Sequence, residues 1–270
     1  MIKYLNINRY STFLRGTKRA VDSVFPIKAE LDYLRLELSR PNLKELQSKF
    51  TGKRCFIIGN GPSLNLSDIE KLKGEYTFAS NKIYLLFEKT AWRPYFYSVE
   101  DHLVLSQNFE QIESVEAKYK IFPNYPIEVA NSFPGSIYFK LKYEDFYPNA
   151  PEFSNNLMTH LHWGSSIVYT QMQLAAAMGF EKIYLIGVDY SYKVPSRKDG
   201  KILTSEGEVN HFHKDYRKPG EKWYQPNLHY HEKSFTKAYE FAQKNGFEIL
   251  NATRGGKLEI FPRVDFNNLF

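Results

Sequence analysis

The last quarter of the chain carries a cluster of histidines in two pairs, and one other residue separates the members of each pair. These four of the seven histidines are His211, His213, His229 and His231. An imidazole with a pKa near neutrality can take a proton from a hydroxyl group, as a general base does. The spacing of each pair also suits a zinc ion, with Asp189 or Asp215 as an oxygen ligand. General-base catalysis and metal binding are therefore both open for this cluster.

The sharpest local motif is a glycine-rich stretch between the first predicted strand and the next helix, Gly59-Asn60-Gly61-Pro62-Ser63-Leu64. Glycines let the backbone turn tightly and approach a phosphate or ribose, and a helix N-terminus offers N–H groups to an anion. The stretch is neither a Walker loop nor the dinucleotide fingerprint. Ser63 and Ser67 are good helix caps, so a purely structural turn is the alternative. Its place after the first strand favours nucleotide binding.

Acidic side chains end two of the predicted strands, at the edge where open α/β sheets bind their ligands. Glu100 and Asp101 follow the third strand, and Asp189 follows a later one. Asp101 can bind an acceptor hydroxyl or a Mg²⁺ ion, and it can equally cap the helix that comes next. Asp189 can contact a substrate or occupy a turn, and we favour contact with substrate.

The elements that must position these residues alternate between short apolar runs and longer helical stretches. The predicted strands are Arg54–Ile58, Tyr76–Ala79, Tyr95–Val99, Tyr119–Phe122, Ile137–Leu141, Ile183–Ile186 and Phe247–Leu250. The predicted helices are Leu66–Leu72, Leu103–Val115, Ser166–Met178 and Glu232–Lys244. Strands that alternate with helices in this way predict an α/β fold with a Rossmann-like, doubly wound, mainly parallel sheet.

Two segments depart from this alternation. Residues 1–50 are predicted to form a basic helical N-terminal extension, because leucines recur at near-helical spacing with Pro41 breaking the run in two. Residues 51–270 are predicted to form the Rossmann-like nucleotide-binding catalytic domain. Within it, residues 193–226 hold several prolines and glycines and little apolar periodicity, which is typical of a functional loop. Because this loop follows a strand at its carboxyl edge, we interpret it as a lid insertion.

Charge and composition exclude several classes of protein. The 270 residues are 43% hydrophobic and carry a net charge of +6, as expected for a globular domain. The first 50 residues hold ten Lys or Arg against five Asp or Glu. The rest lacks a basic stripe with a nucleic-acid-reading motif, so nucleic acid is not an expected partner. We expect residues 1–24 to contact an anionic membrane surface, the alternative being a helical extension packed on the domain.

The expected location of the protein in the cell follows from two kinds of apolar segment that the sequence lacks. No run of about 18 apolar residues predicts a transmembrane helix, and the start has no apolar core of a secretory signal. We therefore expect a cytoplasmic protein, peripheral at the inner face of the membrane. The single cysteine, Cys55, excludes a disulfide framework, and we interpret it as a buried strand residue.

Several motifs, taken in order, resemble two families. They are the stretch from Gly59 to Leu64, Ser80-Asn81-Lys82-Ile83-Tyr84, Ala176-Ala177-Met178-Gly179, the stretch from Lys182 to Tyr190 and the closing stretch from Asn251 to Arg263. Together they resemble the bacterial CMP-sialic-acid-dependent sialyltransferases of glycosyltransferase family 42. They also resemble the broader 6-hydroxymethylpterin diphosphokinase-like family, of which the closing stretch is typical. The resemblance covers residues 53–265 in patches.

The resemblance implies a nucleotide site. The residues that match the positions holding the nucleotide are Asn60, Ser63, Asn81, Ser165 and Ser166. The glycines of the loop, Gly59 and Gly61, and the edge carboxylate Asp189 complete the predicted site. Tyr190 and Tyr192 lie where tyrosines of the sialyltransferases steady the leaving phosphate.

The resemblance also implies a catalytic base. His229-Tyr230-His231 falls where the sialyltransferases have a segment whose second histidine is the general base. Because the segment here is two residues shorter, the choice between His229 and His231 stays open. Asp101 joins them as a catalytic candidate at the edge of the sheet.

These observations predict a glycosyltransferase that moves a sialic-acid-like or ulosonic-acid-like sugar from a CMP donor to a surface-glycan or lipid-linked acceptor. Hydroxyls and N–H groups can stabilise the leaving phosphate, so neither a metal nor a cofactor is expected. One alternative is a 6-hydroxymethylpterin-type diphosphokinase that uses ATP and Mg²⁺. Another is a non-catalytic nucleotide-binding module, which has no use for the histidine cluster. A second copy of the chain is a further candidate partner.

Overall fold

The computed structural model describes residues 33–124, 133–143, 149–192, 202–207 and 209–270. The segment predicted to contact a membrane, residues 1–24, lies outside this part of the chain, as does the start of the predicted lid, residues 193–201. Among the described residues, no helix is both long enough and apolar enough to cross a membrane.

The described residues contain strands, α-helices and short 3-10 helices. The strands, β1 to β11 in order, are Arg54–Ile58, Thr77–Ser80, Phe96–Ser98, Tyr119–Pro123, Ile137–Phe139, Leu141–Lys142, Leu161–His162, Lys182–Ile186, Ile202–Thr204, Lys222–Tyr224 and Glu248–Asn251. The α-helices, α1 to α6 in order, are 33–46, Leu66–Lys71, His102–Gln107, Phe109–Ser114, Ile167–Ala177 and Leu228–Asn245. The 3-10 helices are Asn81–Leu86, Lys214–Tyr216 and Phe266–Leu269.

Seven of the described strands form one parallel sheet in the order β11-β8-β1-β2-β3-β4-β5. The central pair, β1 and β8, is in register from Arg54 opposite Lys182 to Ile58 opposite Ile186. Strand numbers increase outward on both sides of β1, so the carboxyl ends of β1 and β8 flank the crevice where such sheets bind ligands. The predicted Rossmann-like, doubly wound α/β fold is confirmed.

Alternate residues of β1 face two separate core layers. Cys55 and Ile57 pack with residues of α1, α5 and α6, whereas Phe56 and Ile58 pack with residues of α2, α3 and α4. Successive side chains of a strand point to opposite faces of the sheet, so a continuous apolar run is what a strand covered on both faces needs. The predicted burial of Cys55 is confirmed, since its side chain is fully buried.

The last part of the predicted N-terminal extension packs into this core. Residues 33–46 are helical, as predicted, and Leu43, Leu46 and Phe50 are buried against the sheet. The ring of Phe50 stacks on that of Phe180 with centroids 4.8 Å apart. The predicted break at Pro41 is wrong: the helix continues through this residue, which lies on its exposed side while the leucines that follow are buried. The division at residue 50 stays a prediction.

The predicted helix Leu103–Val115 is two helices, α3 and α4. They meet at Asn108, whose backbone (φ −136°, ψ 33°) is not helical. The Asn108 side chain donates to the Val104 carbonyl at 2.8 Å and accepts from the Tyr84 hydroxyl at 3.2 Å. Asparagine competes with the helix for backbone partners in this way, so apolar periodicity alone does not reveal the break.

The described part of the predicted lid has secondary structure of its own. β9 and β10 pair antiparallel, with Trp223 opposite Leu203, and both side chains are buried. Each strand has only three residues, which is too short for an alternating pattern to show in the sequence. The role of this segment as a lid stays a prediction.

Candidate functional site

A cleft opens at the carboxyl ends of β1, β2 and β8. About 630 Å³ of space lies between its walls, including the open solvent at its mouth. The predicted site residues that line it are Gly59, Asn60, Gly61, Ser166, Asn81, Asp189, Tyr190, Tyr192 and His231. Residues from five distant parts of the sequence thus meet at the crevice that the strand order predicts.

The two glycines of the loop after β1 let it pack closely on the loop after β8. The Gly59 and Gly61 N–H groups donate to the carbonyls of Ile186 and Gly187 at 2.8 and 2.9 Å. A Cβ on Gly59 would lie 2.3 Å from the Gly187 carbonyl oxygen, and one on Gly61 would lie 1.9 Å from Asp189 Oδ2. These glycines therefore have a packing role that is separate from any approach to a ligand.

Two asparagines present carboxamide oxygens at the cleft. The Asn60 Nδ2 group donates to the Ser80 carbonyl at 3.3 Å. Because a carbonyl only accepts, this contact orients the amide and leaves Oδ1 on the other side. The Oδ1 atoms of Asn60 and Asn81 are buried and have no hydrogen-bond partner. Both are acceptors that a ligand with hydroxyl or amino groups can satisfy.

Three residues at or next to the cleft have left-handed backbone although none is a glycine. They are Asn81 (φ 52°), Ser165 (φ 63°) and Tyr190 (φ 53°). Such conformations are strained for L-residues and concentrate at functional sites, where the surroundings hold them in place. The Tyr97 hydroxyl, for example, donates to the Asn81 carbonyl at 2.6 Å.

His231 lies in the first turn of α6 and lines the cleft. Its Nε2 donates to the carbonyl of Ser165, so the hydrogen of the neutral ring is on Nε2 and Nδ1 keeps its lone pair. Burial lowers the pKa of His231 to about 4. The imidazole is therefore neutral and able to accept a proton at physiological pH.

The other catalytic candidates lie outside the cleft wall. His229 is exposed on the same helix. Asp101 caps α3, since its Oδ1 accepts from the Leu103 and Val104 N–H groups at 2.8 and 3.3 Å. Burial raises the pKa of Asp101. Of the two predictions for this residue, the structure provides the helix cap.

Two of the predicted serines, Ser63 and Ser165, do not line the cleft but hydrogen-bond to residues that do. The Ser63 hydroxyl donates to Asp189 Oδ2 at 2.8 Å, which ties the loop after β1 to the loop after β8. Asp189 thus lines the cleft and also connects two of its walls. Ser165 offers its carbonyl to His231, and the neighbouring Ser166 caps α5 by accepting from the Val168 N–H at 3.3 Å.

The two predicted tyrosines differ in how they are held. The Tyr190 hydroxyl donates to the Leu228 carbonyl at 2.7 Å, which links the loop after β8 to the start of α6. Tyr192 is partly exposed, and burial of its hydroxyl raises its pKa. Tyr190 therefore serves the geometry of the wall, and Tyr192 is the better candidate for contact with a ligand.

The segment predicted to be a lid adds three cleft residues that the sequence did not single out as nucleotide ligands, Asn210, His211 and Tyr216. His211 and Tyr216 line the cleft with their rings stacked, 3.8 Å between centroids and 7° between planes. His211 belonged to the histidine cluster, but Tyr216 is one of 20 tyrosines and carried no distinguishing signal.

The alternative for the histidines, a metal site, lacks a set of ligands among the described residues. In the part of the chain that the structure describes, no three His, Cys, Asp or Glu side chains are grouped to hold an ion. The His213 Nδ1 accepts from the Asp215 N–H at 3.2 Å, as the cap of a 3-10 helix. His160 and His162 contact each other edge to face.

Glu100 is a buried carboxyl group at the end of β3. It is 7% exposed, and it accepts hydrogen bonds from the Thr170 hydroxyl and the Trp163 side chain. Burial is the largest cause that raises its pKa from 4.5 to about 7. Thr170 lies on α5, so Glu100 connects this helix to the sheet beneath the cleft.

Replacing Glu100 with glutamine should remove a pH-dependent loss of stability. With a folded pKa of about 7 against 4.5 unfolded, the folded state keeps a proton that the unfolded state loses. The stabilisation is complete below pH 4.5 and is lost as pH rises through 7, about 3 kcal/mol in all. Glutamine does not titrate, so Glu100→Gln should gain about this much over the native chain between pH 4.5 and 8. Urea unfolding at both pH values measures it, and a difference that is constant with pH would contradict it.

Comparison with known families gives one match. Residues 31–195 match the family described as 6-hydroxymethylpterin diphosphokinase MptE-like. The match covers more than half of the chain, includes β1 to β8, and ends before the described part of the lid and α6. No curated protein matches the chain.

Solved structures with similarity include a MAf glycosyltransferase from Magnetospirillum magneticum AMB-1, at 18% identity and a TM-score of 0.51 over 87% of this chain. This chain covers only 39% of that protein. The sialyltransferase CstII from Campylobacter jejuni, in complex with the substrate analogue CMP-3FNeuAc, matches at 15% identity and a TM-score of 0.44, over 78% of this chain and 86% of that one. Of the two families that the sequence motifs resemble, the diphosphokinase-like family is the one whose model matches this chain.

Proposed function

This chain belongs to the 6-hydroxymethylpterin diphosphokinase MptE-like family, and from the chemistry of its cleft we propose that it is a glycosyltransferase. It moves an acidic sugar from CMP to a hydroxyl group of a glycan or lipid-linked acceptor. The MAf glycosyltransferase, which has a similar fold, supports sugar transfer by analogy of fold alone.

The observation that carries the proposal is that His231 lines the cleft while its Nε2 is bonded to a carbonyl, which leaves Nδ1 unprotonated. Its Nε2 is committed to the Ser165 carbonyl, so Nδ1 takes the proton of the acceptor hydroxyl while the hydroxyl oxygen attacks the anomeric carbon. The bond from that carbon to the phosphate oxygen breaks, and CMP leaves with the electron pair. The N-terminal end of α5, where Ser166 lines the cleft, offers its positive dipole to the departing phosphate.

The carboxamides of Asn60 and Asn81 support the binding of a nucleoside. Their buried Oδ1 atoms have no partner, and ribose hydroxyls or a base amino group can donate to them. A hydrogen bond to such an atom is favourable because the cost of burying it unpaired is already present in the free protein. These two residues therefore form the nucleotide-binding part of the proposed site.

The second candidate function is the one in the family description, a 6-hydroxymethylpterin diphosphokinase. This activity would transfer a diphosphate from ATP to an alcohol and would call for Mg²⁺ to neutralise the polyphosphate. The match over residues 31–195 favours it. A non-catalytic nucleotide-binding module is the third possibility and would use the same cleft without His231.

A panel of nucleotides should separate these functions. We expect CMP to raise the melting temperature by roughly 5–10 °C at about 100 times its Kd, with or without EDTA, and ATP with Mg²⁺ to raise it less. Asn60→Ala and Asn81→Ala should abolish the effect of CMP. Asn81→Gly is the sharper variant, because glycine adopts the positive φ of this position without strain. Asn156→Ala, at an exposed site away from the cleft, is the matched control.

The opposite pattern would change the assignment. Stabilisation by ATP that depends on Mg²⁺, with none by CMP, would reject the sugar transferase and favour the diphosphokinase. Stabilisation by CMP without turnover of a CMP-sugar in the presence of any acceptor would favour the non-catalytic module.

A further inference from the structure

The stacked rings of His211 and Tyr216 form a fixed part of the cleft wall. The Phe212 N–H donates to the Asn60 carbonyl at 3.1 Å, which attaches this part of the lid to the loop after β1. Burial raises the pKa of Tyr216 above its usual value, although hydrogen bonds from the Lys82 backbone and the Asn81 side chain to its hydroxyl act in the opposite direction. The imidazole of His211 is therefore presented to the cleft in one position.

One atom of this pair has no protein partner. The Nδ1 of His211 is buried and makes no hydrogen bond. Folded proteins rarely leave such an atom unpaired, because burial removes its hydrogen bonds to water and no new hydrogen bond offsets that loss. In a cleft wall, a ligand atom can supply the missing bond.

The surroundings of His211 are cationic. Lys82 is 5% exposed, with Nζ 2.9 Å from both carboxylate oxygens of Glu221. The Arg217 guanidinium lies 3.5 Å from the centre of the Trp223 ring. Burial, Arg217 and Lys82 together lower the pKa of His211 to about 3, so the imidazole is neutral at pH 7. A neutral imidazole among cations can donate its N–H to an anion and is not itself repelled by them.

We propose that His211 binds an oxyanion of the substrate through its Nδ1–H, with Lys82 and Arg217 supplying the favourable field. The inference rests on the proposed function and extends it to the anionic group of the donor. That group is either the phosphate of the nucleotide or the carboxylate of the acidic sugar, which share the chemistry of a charged oxygen that accepts hydrogen bonds.

Two variants test the contributions of the His211 N–H group and of its ring separately. His211→Phe keeps a ring to stack on Tyr216 but cannot donate, whereas His211→Asn keeps an N–H near the position of Nδ1 but loses the stack. We expect His211→Phe to weaken CMP binding by roughly 10- to 100-fold and to leave cytidine binding unchanged. His211→Asn should recover most of the affinity for CMP. Calorimetric titration of both ligands measures this, with melting temperatures to verify folding.

Titration with single anions identifies which oxyanion is bound. Inorganic phosphate and N-acetylneuraminic acid are added separately to the native chain, and the ring signals of His211 are followed by NMR. A shift with phosphate alone assigns the nucleotide phosphate, and a shift with N-acetylneuraminic acid alone assigns the sugar carboxylate. In the second case, His211→Phe should weaken binding of the sugar acid in place of CMP.

The outcomes distinguish this inference from the proposed function. If neither CMP nor cytidine binds the native chain, the CMP donor is rejected, and a His211 shift with either anion still supports the oxyanion site. If neither anion shifts the His211 signals, or if His211→Phe binds CMP, phosphate and N-acetylneuraminic acid as the native chain does, the oxyanion site is rejected.

Discussion

Replacing His231 with alanine or glutamine should lower turnover of a CMP-sugar by roughly 10²- to 10⁴-fold while CMP binding changes little. Glutamine places its amide N–H near the position of the histidine Nε2, so it can keep the hydrogen bond to the Ser165 carbonyl, but it has no atom that can take a proton. Equal losses in the two variants would assign the effect to the missing base. Initial rates at saturating donor and CMP calorimetry measure the two quantities.

The pH dependence gives a second readout for His231. A general base must be unprotonated, and the pKa of this residue is about 4. We therefore expect kcat/KM to stay level from pH 8 to about pH 5 and to fall only below that, whereas an ordinary histidine would cause the fall near 6.5.

His229 provides the matched control because it lies on the same helix and is exposed. His229→Ala should cost no more than a few-fold in turnover. Full activity of the His231 variants would reject the assignment, and a large loss in His229→Ala or His213→Ala would move the base to that residue.

Replacing Gly59 with alanine should lower the free energy of unfolding by about 3 kcal/mol or more. The added Cβ would lie 2.3 Å from the Gly187 carbonyl oxygen and 2.8 Å from its carbon. These are backbone atoms held by the pairing of β1 with β8, so they cannot move aside without separating the two central strands. Urea unfolding of the variant and the native chain measures the loss.

Gly74→Ala is the control for this substitution. Gly74 has a positive φ of 87°, and an added Cβ there would meet nothing within 4 Å, so the cost is backbone strain alone, about 1–2 kcal/mol. If the glycine loop served only the approach of a nucleotide, Gly59→Ala would unfold like the native chain and lose CMP binding alone. That result would contradict the packing role of Gly59.

The fold could be predicted from the sequence because its central strands are short, continuous apolar runs. β1 was predicted with its full extent and β8 to within one residue. Strands that are covered on both faces have apolar side chains along most of their length, so they stand out in the sequence. One of the errors falls where local polar contacts decide the structure. Asn108 divides α3 from α4 through bonds of its own side chain, and no periodicity records that.

Part of the candidate site could be predicted because several of its residues stand in short motifs just after strands. Asn60 and Asn81 follow strand ends, and β-sheet topology alone brings them together. The contacts of Ser63 with Asp189 and of His231 with Ser165 join residues 126 and 66 positions apart. Such pairs depend on the packing of whole elements, so the sequence could nominate these residues but could not assign Ser63 to the wall or choose His231 over His229.

The pairing of β1 with β8 also sets the order in which the protein can be assembled during synthesis. Cys55 on β1 meets Ile183 on β8, about 130 residues later in the chain. Until the ribosome has released β8 and α5, one edge of β1 stays open and its apolar side chains have no cover on the α5 face. Contacts this distant in sequence slow folding and prolong the exposure of unpaired strands. The cleft is complete only after α6 has been made, because His231 and Phe235 line it from that helix.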